Sequence, residues 1–170
     1  EKLYGNEYTE NIVLSGKFAS PKLYDDPDQA DIDRALALME EFGLSHFIHR
    51  QYATLSQGEK QKILILRALM ANPKLLILDE PCTGLDMFAR EQLLETVDQL
   101  SKQNDAPTLI YVTHHIEEIL PVFKKTLMLR RGEVFQAGDT ADLLTEERLT
   151  EFFEAPLPER VTQLRQFVRL

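Results

Sequence analysis

The sequence is short of several things, and each shortage excludes a class of protein. A single cysteine, Cys82, rules out an internal disulfide framework and fits a reducing compartment. Lysine and arginine number 19 against 28 acidic residues, a formal charge of -9. The chain therefore lacks the broad positive surface that counterion release from nucleic acid requires, and no nucleic-acid partner is expected. No apolar run is long enough to span a bilayer and no cleavable signal is recognisable, so a membrane role would go through a partner and not by direct insertion. Internal repeats, low-complexity tracts and long heptad runs are absent. No cysteine or carboxylate spacing around His46, His49 or His115 suggests a metal site. A phosphate-binding loop is missing as well. Gly16-Lys17 imitates one, but that motif needs a glycine five residues before Gly16 and a hydroxyl after the lysine, where Asn11 and Phe18 stand. What is left, 170 residues of 44% hydrophobic content, is enough for one domain with a real core.

The informative stretch runs from Leu55 to Asp86. Ser56 is placed to cap a helix, with Glu59 three residues on to complete a capping box. The free N–H groups of such a helix start, and the positive end of its dipole, favour an anion, and Gly58 has no Cβ to obstruct one. The helix is expected to stop at Asn72-Pro73. Leu75 to Leu78 then read as a short strand buried on both faces, as parallel strands usually are. Asp79 and Glu80 follow, at the carboxyl end of that strand, where open α/β sheets bind their ligands. Successive side chains point opposite ways, so one acid can face a Mg²⁺ shell and the other a reacting water. Each feature alone has an ordinary structural reading: a helix cap, a strand-end turn, a satisfied histidine. Their order along the chain makes the pattern specific.

That order resembles the ATP-binding cassette (ABC) ATPases. Leu55-Ser56-Gln57-Gly58-Glu59 is similar to the family signature Leu-Ser-Gly-Gly-Gln, with Gln57 and Glu59 as departures. Leu75 to Glu80 resembles Walker B with its catalytic glutamate, Thr83-Gly84-Leu85-Asp86 the D-loop, and Val112-Thr113-His114 the switch-histidine motif, with His115 where aspartate is common. The resemblance implies the P-loop NTPase fold of ABC type, in part. It would comprise a helical signature subdomain over about 1–72, a mainly parallel Walker B, D-loop and switch core over 73–144 with an antiparallel hairpin at its edge, and C-terminal helices over 145–170. Because the phosphate loop and the glutamine loop of the family have no counterpart, the chain is expected to be the C-terminal portion of a longer domain.

The implied cofactors are ATP and Mg²⁺. Asp79 would hold the Mg²⁺ through water, Glu80 would polarise the attacking water, and His114 would contact the γ-phosphate. Ser56, Gln57, Gly58 and Glu59 would serve the ATP of a second cassette in a head-to-tail dimer, and Asp86 would link the two sites. The implied whole protein is the ATP-hydrolysing subunit of a transporter, cytoplasmic and held at the inner membrane face by a permease subunit. The stretch Ile12 to Phe18 and its spacing to Leu55 look most like importers of metal chelates or oxyanions. The alternatives are a soluble ABC ATPase of translation or DNA repair, and a non-catalytic remnant that binds a partner cassette.

Elsewhere, Ile12-Val13-Leu14 suits a helix or a strand. Asp26 and Pro27 suggest a helix start, with Ile32, Leu36, Met39 and Phe42 on one face and Gly43 as its stop. Leu44 to Tyr52 reads as a short amphipathic piece. Phe18, Leu23 and Tyr24 are candidates for a permease contact. Lys62 and Arg67 are expected to face acidic neighbours or solvent. Met87 to Gln103 reads as a helix with Leu93, Leu94, Val97 and Leu100 inward, and Thr108 to Val112 as a strand returning parallel to the first. Lys125 to Arg130 and Glu133 to Ala137 make a hairpin across Arg131-Gly132, followed by helices over Leu143 to Phe153 and Glu159 to Val168.

Overall fold

The computed structural model describes residues 5–18 and 27–156. By packing, the chain divides into two compact units, Glu1–His114 and His115–Leu170.

In the first unit the helices are α1 (Thr9–Ser15), α2 (Gln29–Glu41), α3 (Gln57–Met70) and α4 (Met87–Ser101). Strands β1 (Leu75–Asp79) and β2 (Thr108–Val112) pair in parallel, Leu75 opposite Thr108 through Asp79 opposite Val112. The ambiguous Ile12-Val13-Leu14 is helical, and all three side chains are buried. Tertiary contacts decide that choice: the Thr9 hydroxyl donates to the carbonyl of Phe47 at 2.7 Å, and α1 packs on α3. Gly16 explains its own presence here. A Cβ at this position would lie 1.8 Å from the carbonyl oxygen of Arg67, so the glycine lets the end of α1 touch the backbone of α3. Lys17 pairs with Asp31, and Arg67, expected to face acidic neighbours or solvent, donates from Nε to Ser15 Oγ at 3.2 Å.

The start of α2 corrects the expectation. The cap is Asp28, whose Oδ1 accepts from the Asp31 N–H at 2.8 Å, so the helix begins at Gln29 and Pro27 precedes it. A carboxylate closes a cap only from the residue next to the first turn, and Asp28 holds that place. Asp26, Leu23, Tyr24 and the helix expected over Glu159 to Val168 lie outside the described residues; Phe18 is half-buried in a 3₁₀ turn, Gly16–Phe18. Gly43, at φ 69°, follows the end of α2 as expected. Leu44 to Tyr52 holds a 3₁₀ turn, Ser45–Phe47, and leads into a second, Tyr52–Thr54. The core of the unit is Ile12, Met39, Ile63, Leu66, Leu93 and Leu100, all under 2% exposed.

A second correction concerns β1. It is buried on one face, through Leu76 and Leu78, while Leu75 is 48% and Ile77 56% exposed. On β2, Ile110 and Val112 share the exposed side at 45% and 43%. Within this unit Leu76 and Leu78 face the packed side of the two-stranded sheet, and Leu75, Ile77, Ile110 and Val112 its exposed side.

The second unit is an antiparallel pair, β3 (Lys125–Arg130) and β4 (Glu133–Asp139), with α5 (Thr140–Leu143) and α6 (Glu146–Phe153). Arg131 and Gly132 both have positive φ, 55° and 82°, as a two-residue type I′ hairpin requires. The hairpin forms its own two-stranded sheet. The single helix expected from Leu143 is broken, because Thr145 accepts from the Arg148 N–H and starts α6 afresh. Met128, Leu143 and Leu149 form the small core, closed by Phe135 and Phe152.

Gly16→Ala is expected to lower unfolding stability by about 1–3 kcal/mol or more, since the clash is with backbone, which cannot rotate away. Gly5→Ala, where nothing lies within 4 Å of the added Cβ, is expected to stay within about 0.5 kcal/mol. Denaturant midpoints of the two variants check the difference.

Candidate active site

The parallel register sets the geometry. Because Asp79 pairs with Val112, the residues just past each strand emerge at the same sheet end. Glu80 extends the ladder by one bond, its N–H donating to the carbonyl of Val112 at 2.9 Å. Its backbone then turns into the left-handed region, φ 44°, which non-glycine residues seldom occupy and which is often found at functional sites. Thr113 follows Val112, and His114 comes next. Its Nδ1 lies 3.0 Å from Glu80 Oε1, while the Thr83 hydroxyl donates to Glu80 Oε2 at 3.2 Å. Both oxygens of the Glu80 carboxylate are therefore held, and the pair is open to solvent, Glu80 45% and His114 63% exposed.

Asp79 sits at the end of the exposed face of β1, in line with Leu75 and Ile77. Among the described residues no group of three or more His, Cys, Asp or Glu is arranged to hold a metal. An exposed carboxylate at a strand end still fits Mg²⁺, which takes one or two protein carboxylates and keeps water and phosphate oxygens as its other ligands.

The signature turn is a full capping box. The Ser56 N–H donates to Glu59 Oε2 at 2.6 Å and the Glu59 N–H to Ser56 Oγ at 3.3 Å. Ser56 and Gln57 are exposed, and the Ser56 hydroxyl keeps its own proton to donate. Gly58, in contrast, is buried. The direction its Cβ would take meets Ala89 of α4 at 3.0 Å, a neighbour the sequence alone did not reveal. Asp86 caps α4, its Oδ1 accepting from the Ala89 N–H at 2.8 Å. Lys62, one turn beyond Gly58, donates to Gln92 Oε1 at 3.3 Å. Burial holds its ammonium below the ordinary lysine value, and the carboxylates of Glu95 and Glu59 partly oppose that shift.

The remaining histidines take surface roles. His49 Nδ1 is 2.8 Å from Glu10, His115 Nδ1 is 3.3 Å from Glu117, and His46 stacks on Phe47. Cys82 is buried, its sulfur 3.3 Å from the Tyr111 hydroxyl. A cavity of about 430 Å³, lined by Arg34, Glu41, Asn72 and Gln99, also touches Pro73 and Pro107, which precede the two strands. It therefore lies at the end of the sheet opposite Glu80.

In fold this is an ATP-binding cassette of the ABC type, mixed α/β with a parallel pair and a separate antiparallel hairpin. The family model described as ABC transporter matches residues 4–83. An uncharacterized ABC transporter ATP-binding protein of Bacillus subtilis (strain 168), YlmA, is 49% identical over 168 residues, 99% of this chain and 64% of the relative. The molybdate import ATP-binding protein MolC of Haemophilus influenzae is 31% identical over 156 residues, 92% of this chain and 61% of the relative. Among solved structures, an ABC transporter described as of metal-chelate type, in an inward-facing conformation, superposes with a TM-score of 0.78 at 29% identity, covering 89% of this chain and 59% of that one. Over most of its own length the chain is similar to ABC transporter ATP-binding proteins, and it spans less than two thirds of the length of the relatives it matches.

Lys62 supplies a check on the seam between α3 and α4. Its folded pKa lies below the ordinary 10.5, so between those values the unfolded chain binds more protons and stability rises with pH. Lys62→Met removes the desolvated charge. Its stability relative to wild type is expected to be highest at neutral pH and to fall as pH climbs to 10.5, read from denaturant unfolding across that range.

Proposed function

We propose that the protein carrying this chain is the ATP-hydrolysing subunit of an ABC importer, working on a permease at the inner membrane face, with an oxyanion or metal chelate as cargo. The observation that carries the ATPase assignment is the contact between Glu80 and His114 at the end of β1 and β2, with Asp79 beside it. The importer class is supported by the similarity to the molybdate import protein MolC and to the metal-chelate-type transporter. No described helix is long and apolar enough to cross a membrane, which suits a subunit that relies on a permease.

The division of labour follows from the positions. Glu80 takes up the proton of the attacking water, and its left-handed backbone and Thr83 hold the carboxylate in place for that task. His114 keeps the carboxylate oriented and offers its other ring nitrogen to the γ-phosphate. Asp79 supplies the hard oxygen for Mg²⁺. When bound, Mg²⁺ with ATP provides the charge neutralisation that phosphoryl transfer needs. The Ser56 hydroxyl and the Gln57 amide, at a helix start shaped by Gly58 and closed by Glu59, donate to the ATP held by a second cassette in a head-to-tail dimer, and Asp86 ties that turn to the hydrolytic side. The exposed face of β1 and β2 and the fraction of its relatives' length that the chain spans both support a larger catalytic unit, in which further elements bury Leu75, Ile77 and Ile110 and bring the phosphate cradle.

In the full-length protein, Glu80→Gln is expected to lower kcat for Mg-ATP by about 10²–10⁴ while leaving the KM for ATP nearly unchanged. His114→Ala is expected to act in the same direction. The 170-residue chain by itself is expected to hydrolyse no ATP above background. Steady-state phosphate release measures all three, and hydrolysis that survives Glu80→Gln would overturn the assignment.

A further inference from the structure

Gly58 is the one signature residue whose side-chain space is already taken. The cap residue Ser56 and Gln57 after it are exposed, whereas Gly58 is buried with Ala89 where its Cβ would go, at 3.0 Å. Real Cβ atoms stand that close only when a neighbour yields. The neighbour here is the methyl of a helix residue, with its Cα and carbonyl oxygen next in line at 3.8 Å, so it has no rotamer in which to move aside. Ala89 is also the residue whose N–H the D-loop aspartate holds, at 2.8 Å. One turn further along both helices, Lys62 donates to Gln92 at 3.3 Å. Gly58 to Lys62 is four residues and Ala89 to Gln92 three, so the contacts stack on one face of each helix.

We propose that Gly58, Ala89 and Asp86 form a positioning unit, in which the signature turn is seated on the first turn of α4 and cannot move without moving the D-loop cap. Gly58 is glycine to admit Ala89, and its freedom from a side chain serves the contact within this chain. Asp86 links the two halves of the reaction through this contact: a displacement of the signature turn by nucleotide is passed by packing to Ala89 and from its N–H to the Asp86 carboxylate. A rigid close-packed contact transmits sub-ångström shifts because it has no slack to absorb them. The effect belongs to kcat, since the contact sets geometry and does not itself bind ATP.

This rests on the ATPase assignment above, and the experiment separates the two. In the full-length protein, Mg-ATP hydrolysis and thermal midpoint are measured for wild type, Gly58→Ala, Ala89→Gly and the double variant. Gly58→Ala is expected to lower kcat at least tenfold with KM changed less than threefold, and adding Ala89→Gly is expected to restore at least fivefold of that loss. A double variant no more active than Gly58→Ala would overturn the proposal and return the glycine to direct phosphate approach. Should Gly58→Ala fail to fold, recovery of a folded, active protein by Ala89→Gly supports the contact, and no recovery overturns it. A wild type without Glu80-dependent hydrolysis would remove the ATPase assignment, and the thermal midpoints of the four proteins would still decide whether the two positions are coupled.

Discussion

The parallel pairing of β1 with β2 is the constraint on which the rest of the first unit depends. Two strands can run parallel only if the chain between them returns to the starting end of the sheet, and α4, with fifteen residues, makes that return. Once Asp79 lies opposite Val112, the carboxyl ends coincide, and two residues 34 apart in sequence, Glu80 and His114, come within 3.0 Å. The ladder reaches into the site itself, because the Glu80 N–H is bonded to the carbonyl of Val112. A slip of the register would part the pair and also turn Leu76 and Leu78 out of the core.

The second constraint is the seam between α3 and α4. Its interior is apolar, with Ile63, Leu66, Leu93 and Val97 fully buried, and its upper end is made of the smallest available residues, Gly58 and Ala89. Small residues at that end bring the two helix starts together, each capped by its own side chain, Ser56 and Asp86. Lys62 shows the cost of closeness: its ammonium is partly desolvated, and Gln92 with the carboxylates of Glu95 and Glu59 offset only part of that.

Local chemistry was legible to the extent that it is local. The capping box of Ser56 and Glu59 spans four consecutive residues, and the pairing of Arg131 with Gly132 is a turn signal complete in two. Strands Thr108–Val112 and Lys125–Arg130 carry their β-branched and apolar patterns in five or six residues. The sequence pointed to Asp26 as the cap of α2, whereas Asp28 holds that place, since a cap depends on which carboxylate meets a free N–H. Leu144-Thr145 looked like helix interior because nothing in the pattern there signals a break; a hydroxyl that accepts from Arg148 made one. The apolar run of β1 implied burial on both faces, yet among the described residues Leu75 and Ile77 are about half exposed, because a run of leucine and isoleucine records what a strand is suited to and not what packs against it.

The amino-acid sequence alone set out the kinds of group proposed for the site and their order: a capped turn, two acids at a strand end, an aspartate before α4 and a histidine beyond the next strand. It did so because motifs store chemistry in short fixed spacings that need no fold to be recognised. Tertiary structure alone decided which groups touch. It placed His114 on Glu80, filled the space beside Gly58 with Ala89, and set Gly16 against the backbone of Arg67. Contacts between residues tens of positions apart are fixed by strand register and helix packing, which are properties of the whole core, and no single stretch of sequence carries them.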